Sequence, residues 1–313
     1  MPDRELHVVT GAFGFSGRYI ARALLGQGVR VKSLTASPRR PDPFGGAVEL
    51  SPFHWEDQEA LIASLKGASV LYNTYWVRFN HAAFSHAMAV VNTLKLFHAA
   101  KKAGVRRVVH VSITNPSESS PYEYFRCKAR LEKALRESGL SHAILRPAVL
   151  FGKEDILVNN MAWALRRLPL VGVFGDGLYR LRPIYAGDLA ELAVRLGREA
   201  SDAVVEAVGP DTFTYRGLLE ELGEILGKRR PVVSVPPSLG FAAAKALGWL
   251  LGDVVLTRDE IGALTQELLY TGSEPAGSTS LSEWARQNAG SLGLRYASEL
   301  ARRMDRSRPY EAL

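Results

Sequence analysis

The stretch His7-Val8-Val9-Thr10-Gly11-Ala12-Phe13-Gly14-Phe15-Ser16-Gly17-Arg18 decides how the rest of the chain is read. A β-branched run meets glycines at 11, 14 and 17, and a helical pattern opens at Arg18. A strand turning sharply into a helix uses each glycine differently. The first makes the tight turn, the second lets backbone N–H groups approach a pyrophosphate, and the third lets the helix lie close against the strand. The helix then presents its positive end to the phosphates. Such a spacing alone is a weak signal, but its place after the first strand and before the first helix predicts dinucleotide binding.

Outward from this loop, short β-branched runs alternate with longer helical patterns, as a parallel sheet covered on both faces requires. Strands are expected at 6–10, 30–34, 48–50, 69–72, 107–112 and 143–145, and helices at 18–25, 58–65, 82–103 and 124–138. After Pro147 the rhythm changes. A helix over 156–168 precedes a glycine-rich turn, Asp188 is placed to cap the next helix, and Val204 to Val208 reads as a buried-type strand. Beyond Thr214 the pattern is mainly helical, with the prolines between 231 and 237 joining helical pieces. The fold class predicted is α/β. A doubly wound sheet domain would occupy residues 1–150 and a smaller, mainly helical substrate lobe 151–313, with a part near 178–210 returning to the sheet.

Composition narrows the function classes. The 313 residues include 47% apolar residues, enough for a sizeable core, and a single cysteine, Cys127, which allows no internal disulfide. With no signal-peptide pattern at the start, this points to a reducing, cytoplasmic setting. The longest apolar stretch, Phe241 to Val255, is broken by Lys245 and Asp253 and falls short of a membrane span; peripheral membrane contact through it is a weak alternative to packing. The net charge of +7 is spread in doublets such as Arg39-Arg40, Arg166-Arg167 and Arg302-Arg303, so no nucleic-acid partner is expected. His81, His86 and His98 lack the i, i+4 spacing of a metal pair, so no metal site is expected.

The loop after the second strand separates the two nicotinamide dinucleotides. A carboxylate there suits the ribose 2′-hydroxyl of NAD, and an arginine suits the 2′-phosphate of NADP. The chain reads Ser37-Pro38-Arg39-Arg40, with no acid before Asp42. NADP(H) is therefore favoured over NAD(H), the alternative being that these arginines are only solvated.

Tyr124 and Lys128 lie four apart on a helical stretch, hence on one face. An ammonium beside a phenol favours the phenolate, which general acid–base work on a carbonyl or alcohol needs. Ser112 ends the fifth strand at the carboxyl edge of the sheet, where its hydroxyl could bond a substrate oxygen, and Asn92 could hold Lys128 and a relay water. Without the glycine loop, Tyr124 and Lys128 would read as ordinary helix surface. Tyr75 and Trp76, after the fourth strand, either line a pocket beside the nicotinamide or pack under the next helix, and Arg78 could meet an anionic group. Cys127 reads as a packing residue.

Thr10-Gly11-x-x-Gly14-x-x-Gly17, the Ser112/Tyr124/Lys128 set, Leu145-Arg146-Pro147 and Pro183-Ile184-Tyr185-Ala186-Gly187-Asp188 together resemble the short-chain dehydrogenase/reductase superfamily. The resemblance is to its atypical branch, which includes NmrA-like proteins, NAD-dependent epimerase/dehydratase-like proteins and the nucleotide-binding accessory subunit of respiratory complex I. It implies a Rossmann-type fold and an oxidoreductase or epimerase whose small-molecule substrate is a carbonyl or alcohol. Its Ser-Tyr-Lys site would be Ser112, Tyr124 and Lys128, aided by Asn92. The resemblance implies a cofactor bound by Gly11, Gly14 and Gly17; beside these, Thr10, Ser37, Arg39, Arg40, Asn73, Thr74, Tyr75, Lys128 and Pro147 are expected at the cofactor, with Phe13 and Phe15 either covering it or filling core. The alternative it implies is a non-catalytic cofactor-binding relative that senses redox state or supports an assembly. One departure stands out: His54 occupies the place where an aspartate usually contacts adenine.

Overall fold

The computed structural model describes residues 5–313; the charged start at Met1 to Arg4 lies outside the described residues. In chain order the first half gives β1 (Leu6–Thr10), α1 (Phe15–Gly26), β2 (Arg30–Thr35), β3 (Val48–Pro52), α2 (Gln58–Leu65), β4 (Ala68–Asn73), α3 (His86–Ala103), β5 (Arg107–Val111), α4 (Glu123–Glu137) and β6 (Ser141–Pro147). Next come β7 (Val149–Phe151), α5 (Leu157–Arg167), β8 (Val171–Phe174), β9 (Arg180–Leu181), β10 (Pro183–Tyr185), α6 (Ala186–Arg198) and β11 (Ala203–Ala207). The chain continues through β12 (Phe213–Thr214), α7 (Tyr215–Ile225), β13 (Val232–Val235), α8 (Pro237–Leu251), α9 (Arg258–Thr265), α10 (Leu281–Asn288) and α11 (Glu299–Met304).

Seven strands form one sheet in the order β11-β6-β5-β4-β1-β2-β3, and β1 to β6 pair in parallel. The order reverses at β1, which puts the loop after β1 at the switch point where such sheets hold ligands. On one face Val8, Leu71, Val108 and Ile144 pack against Leu61 and Leu65 of α2, Leu96 and Phe97 of α3, and Leu131 and Leu135 of α4. Each fully buried leucine here contributes roughly 1.5–3 kcal/mol. The other face carries α1 and α6. Arg107, 1% exposed, donates from β5 to the carbonyls of Leu196 and Ser201, and so ties α6 and the segment after it to the sheet.

The chain forms two compact units. Residues up to Pro147 group with Leu189–Glu206, while Ala148–Asp188 and Ala207–Leu313 form the second unit. The second unit is less helical than its sequence pattern suggests. The segment read as a proline-rich connection holds β13, which pairs in parallel with β8. Val232, Val233 and Val235 favour the extended backbone, and Pro231 and Pro236 flank the strand where they remove no ladder donor. Asp188 also departs from expectation. It lies in the first turn of α6, and its carboxylate accepts from the amides of Ser278 and Thr279, both at 2.7 Å. Among the described residues no helix is long and apolar enough to cross a membrane.

Candidate active site

Thr10 ends β1 and Thr74 comes directly after β4, and the two are clasped. The Thr74 amide donates to Thr10 Oγ1 at 2.7 Å, and Thr74 Oγ1 donates to the Thr10 carbonyl at 2.6 Å. The glycine loop leaves this clasp. Gly11 takes φ +67°, and the Gly14 amide donates back to the Gly11 carbonyl at 2.8 Å. A Cβ at Gly14 would sit 3.1 Å from the Gly11 oxygen, and one at Gly17 would overlap the Gly11 carbonyl outright. Helix α1 then opens with Gly14 as its N-cap, without a side-chain cap and with no acid in its first turn. Helices α2 and α3, by contrast, have Asp57 and Ser85 on their first amides. A close backbone cradle at an uncapped helix start fits a pyrophosphate.

Of the two readings of Phe13 and Phe15, cofactor cover or core, the rings show packing contacts: Phe13 is 2% exposed beside Phe44, and Phe15 meets Tyr19 edge-on. After β2 the Ser37 amide donates to Thr35 Oγ1, and the Arg40 amide donates to the Ser37 carbonyl. This turn separates the two arginines, with Arg39 exposed and Arg40 only 5% exposed. The first acid, Asp42, spends its carboxylate on the amides of Phe44 and Gly46. No carboxylate of this loop is therefore free for a ribose. His54, at φ +50°, shapes the turn whose carbonyl accepts from Asp57.

Asn73 closes β4 as a junction. Its Oδ1 accepts from Thr10 Oγ1 and from the Tyr75 amide, and its Nδ2 donates to His110 Nδ1 at 3.0 Å. Tyr75 then turns into an aromatic group with Phe53 and Trp55, with ring centroids 5.2 and 5.1 Å away. Asn92 was expected to hold Lys128; it donates to the Tyr75 hydroxyl at 3.0 Å instead. Lys128 is 2% exposed and donates to the Val111 carbonyl at 2.8 Å. Burial pushes its pKa down to about 7, against a partial opposing pull from Glu132.

Trp76 joins the catalytic candidates. Its ring lies 4.4 Å from Lys128 Nζ and meets Tyr124 nearly edge-on at 5.5 Å, while His86 stacks on it at 5.7 Å. Tyr124 itself is half-buried. Ser112, 3% exposed, donates its amide to Leu145 across the strand pair. Its hydroxyl makes no hydrogen bond, yet lies near enough to Glu132 to help stabilise that carboxylate. Pro147 accepts from the Thr114 amide at 3.0 Å.

Behind Ser112 lies an ion network that sequence reasoning missed. Arg146 donates to both oxygens of Glu132, at 3.0 and 2.6 Å, and to Glu206 at 3.1 Å, and Thr114 Oγ1 donates to Glu206 at 2.8 Å. Burial alone would raise the Glu132 carboxyl, but the Arg146 bonds outweigh it and hold the pKa below its usual range. Glu132 lies four residues beyond Lys128, which was the only local signal available. Cys127 packs in the core, where burial, then Glu123, pushes its thiol pKa up.

Residues 11–161 match a protein family described as NAD(P)H-binding. Over 283 residues the chain is 26% identical to NADH dehydrogenase [ubiquinone] 1 alpha subcomplex subunit 9, mitochondrial, of Arabidopsis thaliana, covering 84% of this chain and 70% of that protein. It is 27% identical over 296 residues to a ceramide reductase of Caulobacter vibrioides, covering 87% of each. Among solved structures, a Citrobacter triphenylmethane reductase superposes with TM-score 0.72 at 17% identity, over 91% of this chain and 99% of that one, a likeness of fold.

Proposed function

Because the chain belongs to the atypical short-chain dehydrogenase/reductase superfamily, we propose that it is an NADP-dependent oxidoreductase acting on a carbonyl or alcohol. The observation that carries this reading is the placing of Tyr124 and Lys128 around the single indole of Trp76. The first unit, which carries the glycine loop, Tyr124 and Lys128, would hold the cofactor. NADP(H), when bound, supplies or accepts the hydride.

The chain's own residues do the rest. The loop from Gly11 to Gly17 would bring the uncapped first-turn amides of α1 up to the pyrophosphate, and Arg39 and Arg40 would meet the 2′-phosphate. Tyr124 gives a proton to the substrate oxygen on reduction and takes it back on oxidation. Lys128, buried against a carbonyl, favours the phenolate of Tyr124 when charged. Ser112 steadies the substrate oxygen by turning its hydroxyl away from Glu132. Asn92 is a positioning residue, acting through Tyr75. An epimerase or dehydratase retaining its cofactor would use the same groups. The lone, buried Cys127 supports a reducing compartment, which we read as the cytoplasm.

Tyr124→Phe is expected to lower kcat/KM with NADPH and a responsive carbonyl by about 100-fold or more, with NADPH affinity changed less than about twofold. Wild-type protein that binds NADPH but turns over no member of a broad carbonyl panel would remove the enzyme reading. One observation favours a second reading: the Arabidopsis relative is, by its name, a subunit of a respiratory NADH dehydrogenase. On that reading the chain binds the cofactor to support an assembly or sense redox state.

A further inference from the structure

Helix α8 exposes more large apolar surface than a protein surrounded only by water needs. Leu239, Ala242, Ala243, Ala246, Trp249 and Leu250 succeed one another at helical spacing along one face, and all are exposed. Leu239 is 64%, Trp249 84% and Leu250 72% exposed. The inward face carries two glycines beside the half-buried Ala244, Leu247 and Leu251. Gly240 is buried where a Cβ would strike the Phe174 ring, and Gly248 where one would meet the Asp253 backbone. A surface helix ordinarily turns its large apolar residues to the core.

The charges shown on and against α8 itself are basic. No acid lies within α8, Lys245 is exposed on it, and the Arg258 guanidinium rests 5.0 Å from the Phe241 ring. Asp253, just past the helix, turns its carboxylate to Tyr296 and the amides of Glu299 and Leu300. Asp259 is the exposed acid nearest in sequence, and Arg258 precedes it directly.

We propose that α8 docks this protein on the surface of an anionic lipid bilayer, with Trp249 and Leu250 sunk to the headgroup–acyl boundary and Lys245 and Arg258 among the headgroups. Tryptophan anchors and basic flanks are what such an interfacial helix uses. Two other occupants fit worse. At 15 residues the helix is too short to span, which takes about 20. A second copy would gain little, since a helix about 22 Å long offers far less than the roughly 800 Å² per partner of a stable interface.

Flotation of the full chain tests this, using vesicles of phosphatidylcholine with or without phosphatidylglycerol. Wild-type protein is expected to float with the anionic vesicles at low salt, and Trp249→Ser/Leu250→Ser to cut the bound fraction about tenfold at unchanged melting temperature. Lys245→Glu is expected to weaken binding in the same direction. Failure of the wild type to bind, or equal binding by the double variant, overturns the proposal. Equal binding to pure phosphatidylcholine overturns its anionic part. A dimer in sedimentation equilibrium that the double variant abolishes, with no vesicle binding, assigns the face to a second copy and overturns it too. None of these readouts depends on cofactor or turnover.

Discussion

At the level of single residues, the glycine loop and Lys128 make the most direct demands. A methyl at residue 17 would overlap the Gly11 carbonyl, and Gly11 is fixed by its own bond to Leu34. Gly17→Ala is therefore expected to cost about 1–3 kcal/mol in a urea melt and to weaken NADPH binding at least tenfold, while a variant that binds normally would show that the loop yields. Lys128 sets a pH dependence whose sign is opposite to that of an ordinary salt-bridged lysine. Its folded pKa is depressed to about 7, so the unfolded chain holds more protons between there and the usual lysine range. Stability from this group therefore rises with pH across that window, and its burial penalty is full below it. Lys128→Met should gain more melting temperature over wild type at pH 6 than at pH 9.5, and an equal gain at both would refute the depressed pKa. Gly11, Gly14 and Gly17 were legible in sequence because each role stems from local backbone geometry. Asn92 was not: only the approach of α3 to the Phe53, Trp55 and Tyr75 rings directs its amide to Tyr75.

Elements were easiest to read where a whole period was visible. The strand–helix alternation through β6 emerged in its observed order, since β-branched runs and amphipathic spacing are local properties. β13 was missed because prolines beside four residues look like a connection until β8 supplies the ladder. The sequence marked Asp188 as a helix cap, yet its carboxylate serves a segment 90 residues on. That carboxylate takes two amides and the Thr279 hydroxyl, the last at 2.8 Å. Asp188→Ala should orphan these donors and lower unfolding free energy by about 1–3 kcal/mol. A loss within measurement error would mean that the 277–281 segment is held by the Asp211 contacts to Ser280 and Leu281 and by the bond of the Gly277 amide to the Val208 carbonyl.

For the molecule as a whole, cofactor binding and folding are linked. Excess NADPH near 100 times its dissociation constant should add about 2.7 kcal/mol to the unit that binds it and raise its melting temperature. NADH at equal concentration should do less, and Arg39→Ala/Arg40→Ala should erase the difference; equal shifts with both dinucleotides in wild type would remove the NADP assignment. By itself the sequence determined the α/β class, the position of the glycine loop and the helical face shared by Tyr124 and Lys128. All of these arise from contacts within a few residues along the chain. Only the tertiary structure decided that Trp76 borders both catalytic candidates, that Ser112 lies beside the Glu132–Arg146–Glu206 network, and that α8 turns its large apolar face outward. Those arrangements depend on distant strands and helices meeting in space, which no local pattern encodes.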